Sequence, residues 1–413
     1  MAVIHPFKAI RPVRDKVQLV ASRAVNTYKP RILSAKLEEN PFTFLHIILP
    51  EYGKKQTTKP NTPERFKLVK KKYDSFCKNG VLTQDKKESF YIYRQLKSGN
   101  SYTGIIAGAS VDDYNNSVVK VHEQTLTKRE EVFKSYLDTC GFNAEPVLLS
   151  YAGNKMIDAV ITKYTRQRAE YEFTTADEVS HFLWVVTEKK DVSGIVNAFK
   201  KINAVYIADG HHRFSSSALL AAERKKKNKK HTGKEMYNYC MAYFISEDQL
   251  KIYDFNRIAK DLNGLTNEQF LEKLKEKFEV ENKGEKNYKP KKKHNFSMYL
   301  DGSWYSLTVK KGIFDPKHPV SSLDAQILSD HILSPVLGIH DLKTDNRIQF
   351  IGGLKGMEGL KRSVDEFKMK VAFGLYPVTI DQLKKVADTR NIMPPKTTWI
   401  EPKLRSGLII QPI

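Results

Sequence analysis

The chain contains very little cysteine. Among its 413 residues only Cys77, Cys140 and Cys240 are cysteines, and no two of them form a CxxC pair. Such wide spacing argues against a disulfide framework and against a structural zinc site, and it favours a reducing compartment. The sequence therefore predicts a cytoplasmic protein.

Long apolar runs are missing as well. No segment reaches the roughly 18 consecutive apolar residues that a spanning helix needs. Residues 1–12 also lack the apolar core of a secretory signal peptide. Neither secretion nor insertion into a membrane is therefore expected.

Several catalytic motifs are absent. There is no Walker loop of the form GxxxxGK followed by Ser or Thr, no HExxH zinc motif and no GxSxG elbow. His211 and His212 are adjacent, so their rings cannot share one helix face in the way that zinc hydrolysis requires. The glycines at 352, 353 and 356 are better explained by a plain turn before a helix.

Positive charge, in contrast, is abundant. The chain has 69 Lys and Arg against 47 Asp and Glu, a formal net charge of +22. Runs of lysine lie at 54–72, 224–230 and 286–293. Lysine dominates in all three, and arginine and aromatic residues are few, whereas base-reading modules place them regularly between the lysines. A basic balance can attract nucleic acid or small anions such as nucleotides. We interpret these runs as a solvated face, and we do not expect nucleic acid as a partner.

The apolar pattern predicts an α/β fold with mixed α+β sheets. Strands are predicted at 42–49, 89–96, 147–151, 156–161 and 204–208, and helices at 64–77, 125–138 and 192–202. A hairpin is expected around Asp301-Gly302, a favourable type I′ pair. We predict a catalytic region at 1–242, a small α+β insertion at 243–315, and a C-terminal segment at 316–413 that returns to close the site.

The most informative segment follows the apolar run 204–208. Asp209 and Gly210 end this predicted strand, and His211, His212 and Arg213 open a segment of strong helix formers. The first turn of a helix leaves backbone N–H groups without intrahelical partners, and a glycine lets a ligand approach them closely. The guanidinium of Arg213 adds a planar set of donors. This order of elements predicts a phosphate site.

Two further segments carry groups suited to phosphoryl chemistry. In the first, Glu123 stands between His122 and Thr125 close to a predicted helix start, where a carboxylate can act as a general base or simply complement the helix dipole. In the second, two prolines precede Lys396, Thr397 and Thr398, whose ammonium and hydroxyl groups can meet phosphate oxygens. Read alone, each segment is also explained by an ordinary cap or a rigid connector.

These segments together resemble a known family. The loop at 208–213 is similar to that of the ParB/sulfiredoxin superfamily, and the order H-E-Q at 122–124, D-G-H-H-R at 209–213 and P-K-T-T at 395–398 resembles the archaeal free serine kinases. The chain as a whole resembles a long family of unknown function, domain family ten-fifteen, through N-P-F-T-F-L-H at 40–46, D-D-Y at 112–114 and P-K-L-R-S-G-L at 402–408. It departs from the family at 24–26, where Ala-Val-Asn replaces the usual Pro-Tyr-Asp.

The resemblance implies a ParB/sulfiredoxin-like nucleotide-binding core and a kinase that converts free L-serine to O-phosphoserine with ATP or ADP and Mg²⁺. It implies that Glu123 is the general base and that Asp209 and His211 are catalytic, with Asp209 near the metal. The residues implied to bind nucleotide phosphates are Gly210, His212, Arg213, Lys396, Thr397 and Thr398, and those implied to bind substrate are His122 and Thr125. Two alternatives stay open: a ParB-like, nucleotide-gated DNA-binding protein, and a catalytically inactive nucleotide-binding regulator.

Overall fold

The computed structural model describes residues 1–413. Its strands are β1 (Ile4–His5), β2 (Ile10–Pro12), β3 (Leu82–Gln84), β4 (Phe90–Lys97), β5 (Asn100–Ser110), β6 (Val119–Lys120), β7 (Phe142–Asn143), β8 (Val147–Tyr151), β9 (Tyr171–Thr174), β10 (Ser180–Val186), β11 (Val205–Asp209), β12 (Tyr239–Ser246), β13 (Lys251–Tyr253), β14 (Phe255–Ala259), β15 (Phe278–Gly284), β16 (Asn295–Leu300), β17 (Ser303–Val309), β18 (Ile348–Gly352), β19 (Val371–Gly374), β20 (Trp399–Glu401) and β21 (Gln411–Pro412). Its α-helices are α1 (Val17–Val20), α2 (Pro30–Glu39), α3 (Leu45–Ile48), α4 (Pro63–Lys78), α5 (Val111–Asn115), α6 (Thr127–Cys140), α7 (Lys155–Thr165), α8 (Lys189–Phe199), α9 (His211–Lys227), α10 (Asn267–Lys275), α11 (Asp324–Leu328), α12 (Gly356–Asp365) and α13 (Ile380–Asp388). The fold is therefore mixed α/β, as the apolar pattern predicts.

The chain forms two compact units. Unit 1 consists of Met1–Lys120, Thr125–Leu250 and Pro402–Ile413, and unit 2 consists of Val121–Gln124 and Lys251–Glu401. Most of unit 2 comes from the segments 243–315 and 316–413, and both supply strands to its main sheet. The division into three functional parts stays a prediction.

Unit 1 is built on a nine-stranded sheet. The strand order is β6-β11-β8-β12-β5-β4-β10-β9, with β1 paired to β5. Two pairs are parallel, β6 with β11 and β8 with β12, and the other neighbours are antiparallel. Because the carboxyl ends of parallel strands meet at one edge of a sheet, the segments that follow β6 and β11 start from neighbouring points.

Unit 2 is built on a six-stranded antiparallel sheet. Its order is β15-β17-β16-β19-β14-β18, and β13 and β20 form a separate pair. The hairpin predicted between β16 and β17 is confirmed. Asp301 and Gly302 both have positive φ, +50° and +77°, as a two-residue turn of type I′ requires.

Most of the predicted elements are confirmed, but two predicted strands are wrong. Residues 42–49 form a turn and the short helix α3, because the side chain of Asn40 accepts a hydrogen bond from the backbone N–H of Phe42 (3.0 Å) and bends the chain. Residues 156–161 belong to helix α7. There Asn154 caps the backbone N–H groups of Met156 and Ile157, at 3.0 and 3.4 Å.

None of the helices is both long and apolar enough to cross a lipid bilayer.

Candidate functional site

The phosphate loop predicted at 209–213 has the local structure that its sequence indicates. Strand β11 ends at Asp209, Gly210 turns the chain with φ +102°, and His211 begins α9, which is 17 residues long. A bulge at Ala208 shifts the pairing with β8, since Ile207 lies opposite Leu149 and Asp209 opposite Leu148. Bulges of this kind change the direction of the next side chains and are frequent beside functional sites.

Gly210 is needed for two separate reasons. Its φ lies in the left-handed region, which a residue with a Cβ adopts only at a cost. A Cβ at this position would also stand 3.0 Å from both Nε and Nη2 of Arg213. The backbone turn and the guanidinium are therefore packed against each other.

Arg213 is held in place by the start of β8 as well as by its own loop. One guanidinium nitrogen, Nη1, donates to the carbonyl of Pro146 (2.7 Å) and lies 2.9 Å from the carboxylate of Glu145. The other, Nη2, donates to the carboxylate of Asp209 (3.1 Å). Burial opposes the charge, but the carboxylates of Glu145 and Asp209 outweigh it and raise the pKa of Arg213. The residue is a fixed cation at the helix start.

Asp209 has a second cation beside it. The ammonium of Lys403 lies 3.5 Å from Oδ1 of Asp209, while Arg213 contacts Oδ2. The carbonyl of Lys403 accepts a hydrogen bond from Gln95 (3.1 Å), which ties this part of the tail to β4. Lys403 and Glu145 were not predicted as site residues. Lys403 lies within the P-K-L-R-S-G-L segment, and Glu145 lies two residues before strand β8, so the two residues lie in or beside patterns that the sequence already showed.

Helix α9 is fixed by the residues behind its first turn. Phe214 is wholly buried and stacks on Tyr114, with ring centroids 5.0 Å apart. Ser215 and Ser216 both donate to the carbonyl of His212, and Ser217 donates to that of Arg213. These hydroxyls turn back onto the helix, so the groups that remain at its N-terminus are Gly210 and the side chains at 211–213.

Unit 2 brings the two other predicted segments together. The backbone N–H of Met393 donates to the carbonyl of His122 (2.8 Å), which joins the H-E-Q segment to the start of the P-P-K-T-T segment. His122 is buried, whereas Glu123 is exposed and lies in a bend. Helix α6 begins at Thr127, so Glu123 stands on a loop and not at the helix start that the sequence suggested.

The P-P-K-T-T segment forms a tight turn. The hydroxyl of Thr397 donates to the carbonyl of Pro394 (2.7 Å), and Lys396 has a φ of +57°. Its ammonium lies 5.8 Å from the ring centroid of Phe255, while Thr397 is buried and Thr398 half-buried. The turn fixes the direction of Lys396, and the Thr397 hydroxyl already has a backbone acceptor.

The predicted site residues are thus divided between the two units. Unit 1 holds the loop from Asp209 to Arg213 together with Thr125, which is half-buried in the segment before α6. Unit 2 holds His122, Glu123 and the residues 396–398. That the two groups act on one ligand stays a prediction.

Comparisons with known proteins give a family but no activity. No curated protein matches the chain. Among solved structures, free serine kinase in complex with AMP is 15% identical, with 74% of this chain and 91% of that chain covered and a TM-score of 0.36. SbnI with a C-terminal truncation, from Staphylococcus aureus, is 11% identical, with 73% of this chain and 85% of that chain covered and a TM-score of 0.39. A conserved hypothetical protein from Pyrococcus furiosus is 14% identical, with 75% of this chain and 95% of that chain covered and a TM-score of 0.34.

These structural likenesses are too weak to carry an argument about this chain. The family comparison is different, because its match extends over residues 4–326 and so over most of the chain. The chain belongs to the family described as Protein of unknown function (DUF1015).

Proposed function

We propose that the protein is a nucleotide-dependent kinase that phosphorylates free L-serine, with a ParB/sulfiredoxin-like core around its phosphate loop. The observation that carries this proposal is the turn at Gly210. There a strand ends, the backbone takes a left-handed conformation, and a long helix begins with a fixed guanidinium beside it. A helix N-terminus with an adjacent cation is a suitable site for a phosphate.

The pairing of β6 with β11 supports a role for Glu123 at this loop. Lys120 lies opposite Tyr206 in a parallel pair. Glu123 stands three residues beyond Lys120, and Asp209 stands three residues beyond Tyr206. Since both segments leave the sheet at the same edge, the proposal assigns them to one reaction centre. The exposed carboxylate of Glu123 would accept the proton of the serine hydroxyl.

The remaining residues would position charge. When bound, the nucleotide supplies the phosphoryl group, with either ATP or ADP as the donor. Arg213 and the first turn of α9 would offset the negative charge of its phosphate oxygens, and Lys396 would add a second cation. His211 and His212 would orient the phosphate. The other side chains that would line the site are those of His122, Thr125, Thr397 and Thr398.

A magnesium role for Asp209 fits the structure less well. Each of its carboxylate oxygens already has a cationic neighbour, Lys403 or Arg213. A divalent ion held there would be repelled by both cations. We therefore propose that Asp209 orients Arg213, and that Mg²⁺ would be bound mainly by the phosphates of the nucleotide.

The substitution Glu123→Gln tests the base. A positioned general base contributes about 10²- to 10⁴-fold to a rate, so serine-dependent nucleotide consumption should fall by about that factor while nucleotide binding persists. Glu172→Gln, which changes an exposed glutamate on β9, serves as the matched control. Unchanged turnover in the Glu123 variant would rule out this mechanism, and consumption that does not depend on serine would rule out this acceptor.

A further inference from the structure

Strand β14 carries an arginine in the core of unit 2. Arg257 is 0% exposed, and its neighbours across the strands are Phe350 and Phe373. Its Nη1 donates to the carbonyl of Phe255, and its Cζ lies 5.4 Å from the ring centroid of Phe350. The guanidinium is therefore held at one corner and lies over the ring of Phe350.

The other corner of the guanidinium has donors without acceptors. Neither Nε nor Nη2 of Arg257 has a hydrogen-bond partner in the protein. These two N–H groups lie on the same edge of the planar group and point in the same direction. This edge can bind both oxygens of a carboxylate or of a phosphate in a bidentate pair.

No acidic side chain compensates the charge. Burial lowers the pKa of Arg257 to about 9, so the group is still protonated at neutral pH. The nearest buried acid along the chain, Asp254, accepts a hydrogen bond from Asn256. Side chains alternate across a strand, so Asn256 and Arg257 project to opposite faces of the sheet. Asp254 is therefore engaged on the face away from Arg257.

We propose that Arg257 anchors an oxyanion subsite in unit 2 that takes the two oxygens of a small carboxylate or phosphate. A buried, uncompensated charge is strongly unfavourable, whereas a bidentate anion satisfies both the charge and the two donors. Phe255 shares a face of β14 with Arg257, and the carbonyl of Phe255 holds the opposite corner of the guanidinium, so the free edge keeps a fixed direction. The inference does not rest on the proposed kinase activity.

The test is an anion-dependent unfolding measurement on the full chain, with no nucleotide present. Wild-type protein, Arg257→Gln and Arg257→Lys are refolded and then unfolded with urea in chloride, phosphate, acetate or L-serine at equal ionic strength. Arg362→Gln, which changes an exposed arginine paired with Glu366, is the matched control. Refolding in the anion is necessary because Arg257 is wholly buried and a ligand there would exchange only when the unit opens.

In wild type and Arg362→Gln, a binding anion should lower the unfolding equilibrium constant by a factor of 1 + [L]/Kd, which is about 100-fold at 100 times the Kd. The Gln variant should lose this response, and the Lys variant, which keeps the charge but not the paired donors, should retain only part of it. A response to phosphate alone identifies a phosphate, and a response to acetate and serine identifies a carboxylate. The proposal is overturned if no anion differs from chloride in wild type, or if Arg257→Gln responds as wild type does.

Discussion

Gly210→Ala is the substitution that tests most directly how the loop at 209–213 is built. The φ of +102° places an alanine in a conformation that costs about 1–3 kcal/mol. The new Cβ would also stand 3.0 Å from two nitrogens of Arg213 and would displace the guanidinium. Weakening its charged hydrogen bonds to Pro146 and Asp209 adds about 1.5–3 kcal/mol. We expect a loss of about 2.5–6 kcal/mol in the free energy of unfolding of unit 1.

The matched control is Gly141→Ala. Gly141 ends α6 with a φ of +69°, and a Cβ there would meet nothing within 4 Å. Gly141→Ala should therefore lower the free energy of unfolding only by the cost of the left-handed backbone conformation, about 1–2 kcal/mol. Urea unfolding gives the free energies, and hydrogen exchange over residues 205–227 locates the loss. Equal losses in the two variants would show that the contact between Gly210 and Arg213 has no energetic weight.

Three further outcomes are expected. Burial lowers the pKa of His181 from its ordinary value of 6.5 to about 3, so between these pH values only the unfolded chain binds the proton. The free energy of unfolding should therefore fall by up to about 1.4 kcal/mol for each pH unit below 6.5. Urea unfolding of His181→Phe should lack this contribution. Gly302→Ala should lower the free energy of unfolding of unit 2 by about 1–2 kcal/mol, since its φ is +77°, and a calorimetric melt that is unchanged would contradict this. Lys403→Met should lower the free energy of unfolding by less than about 1 kcal/mol, because Lys403 and Asp209 are both well exposed. The same substitution should weaken nucleotide binding in isothermal titration. An unchanged affinity would show that Lys403 is not part of the nucleotide site.

The local elements of the site could be predicted because their signals are local. An apolar strand, a glycine and a run of helix formers specify the turn at Gly210 within a few residues, and Asp301-Gly302 specify a hairpin in the same way. The two strands that were wrongly predicted are also explained by local interactions. Asn40 and Asn154 form local side-chain hydrogen bonds that decide the conformation, and apolar content alone does not reveal them.

The long-range contacts of the site could not be predicted from spacing. Nothing near Asp209 in the sequence indicates that Lys403 returns to it, and nothing near His122 indicates that Met393 donates to its carbonyl. Each contact depends on where a distant segment is carried by a whole sheet. The burial of Arg257 and its two donors without acceptors could not be predicted from the sequence either. Both follow from the pairing of β18 and β19 on either side of β14.

The return of the C-terminal tail has a consequence for how the protein is made on the ribosome. Ile410 exchanges two backbone hydrogen bonds with Ile10, at 2.9 Å each, and β21 pairs with β7. Unit 1 therefore cannot be completed until residues 402–413 have emerged, whereas the main body of unit 2 is one continuous stretch that is translated earlier. Domains generally fold as units during synthesis. Unit 1 would consequently stay incomplete while unit 2 folds, and the ion pair between Lys403 and Asp209 would be among the last contacts of the loop at 209–213 to form.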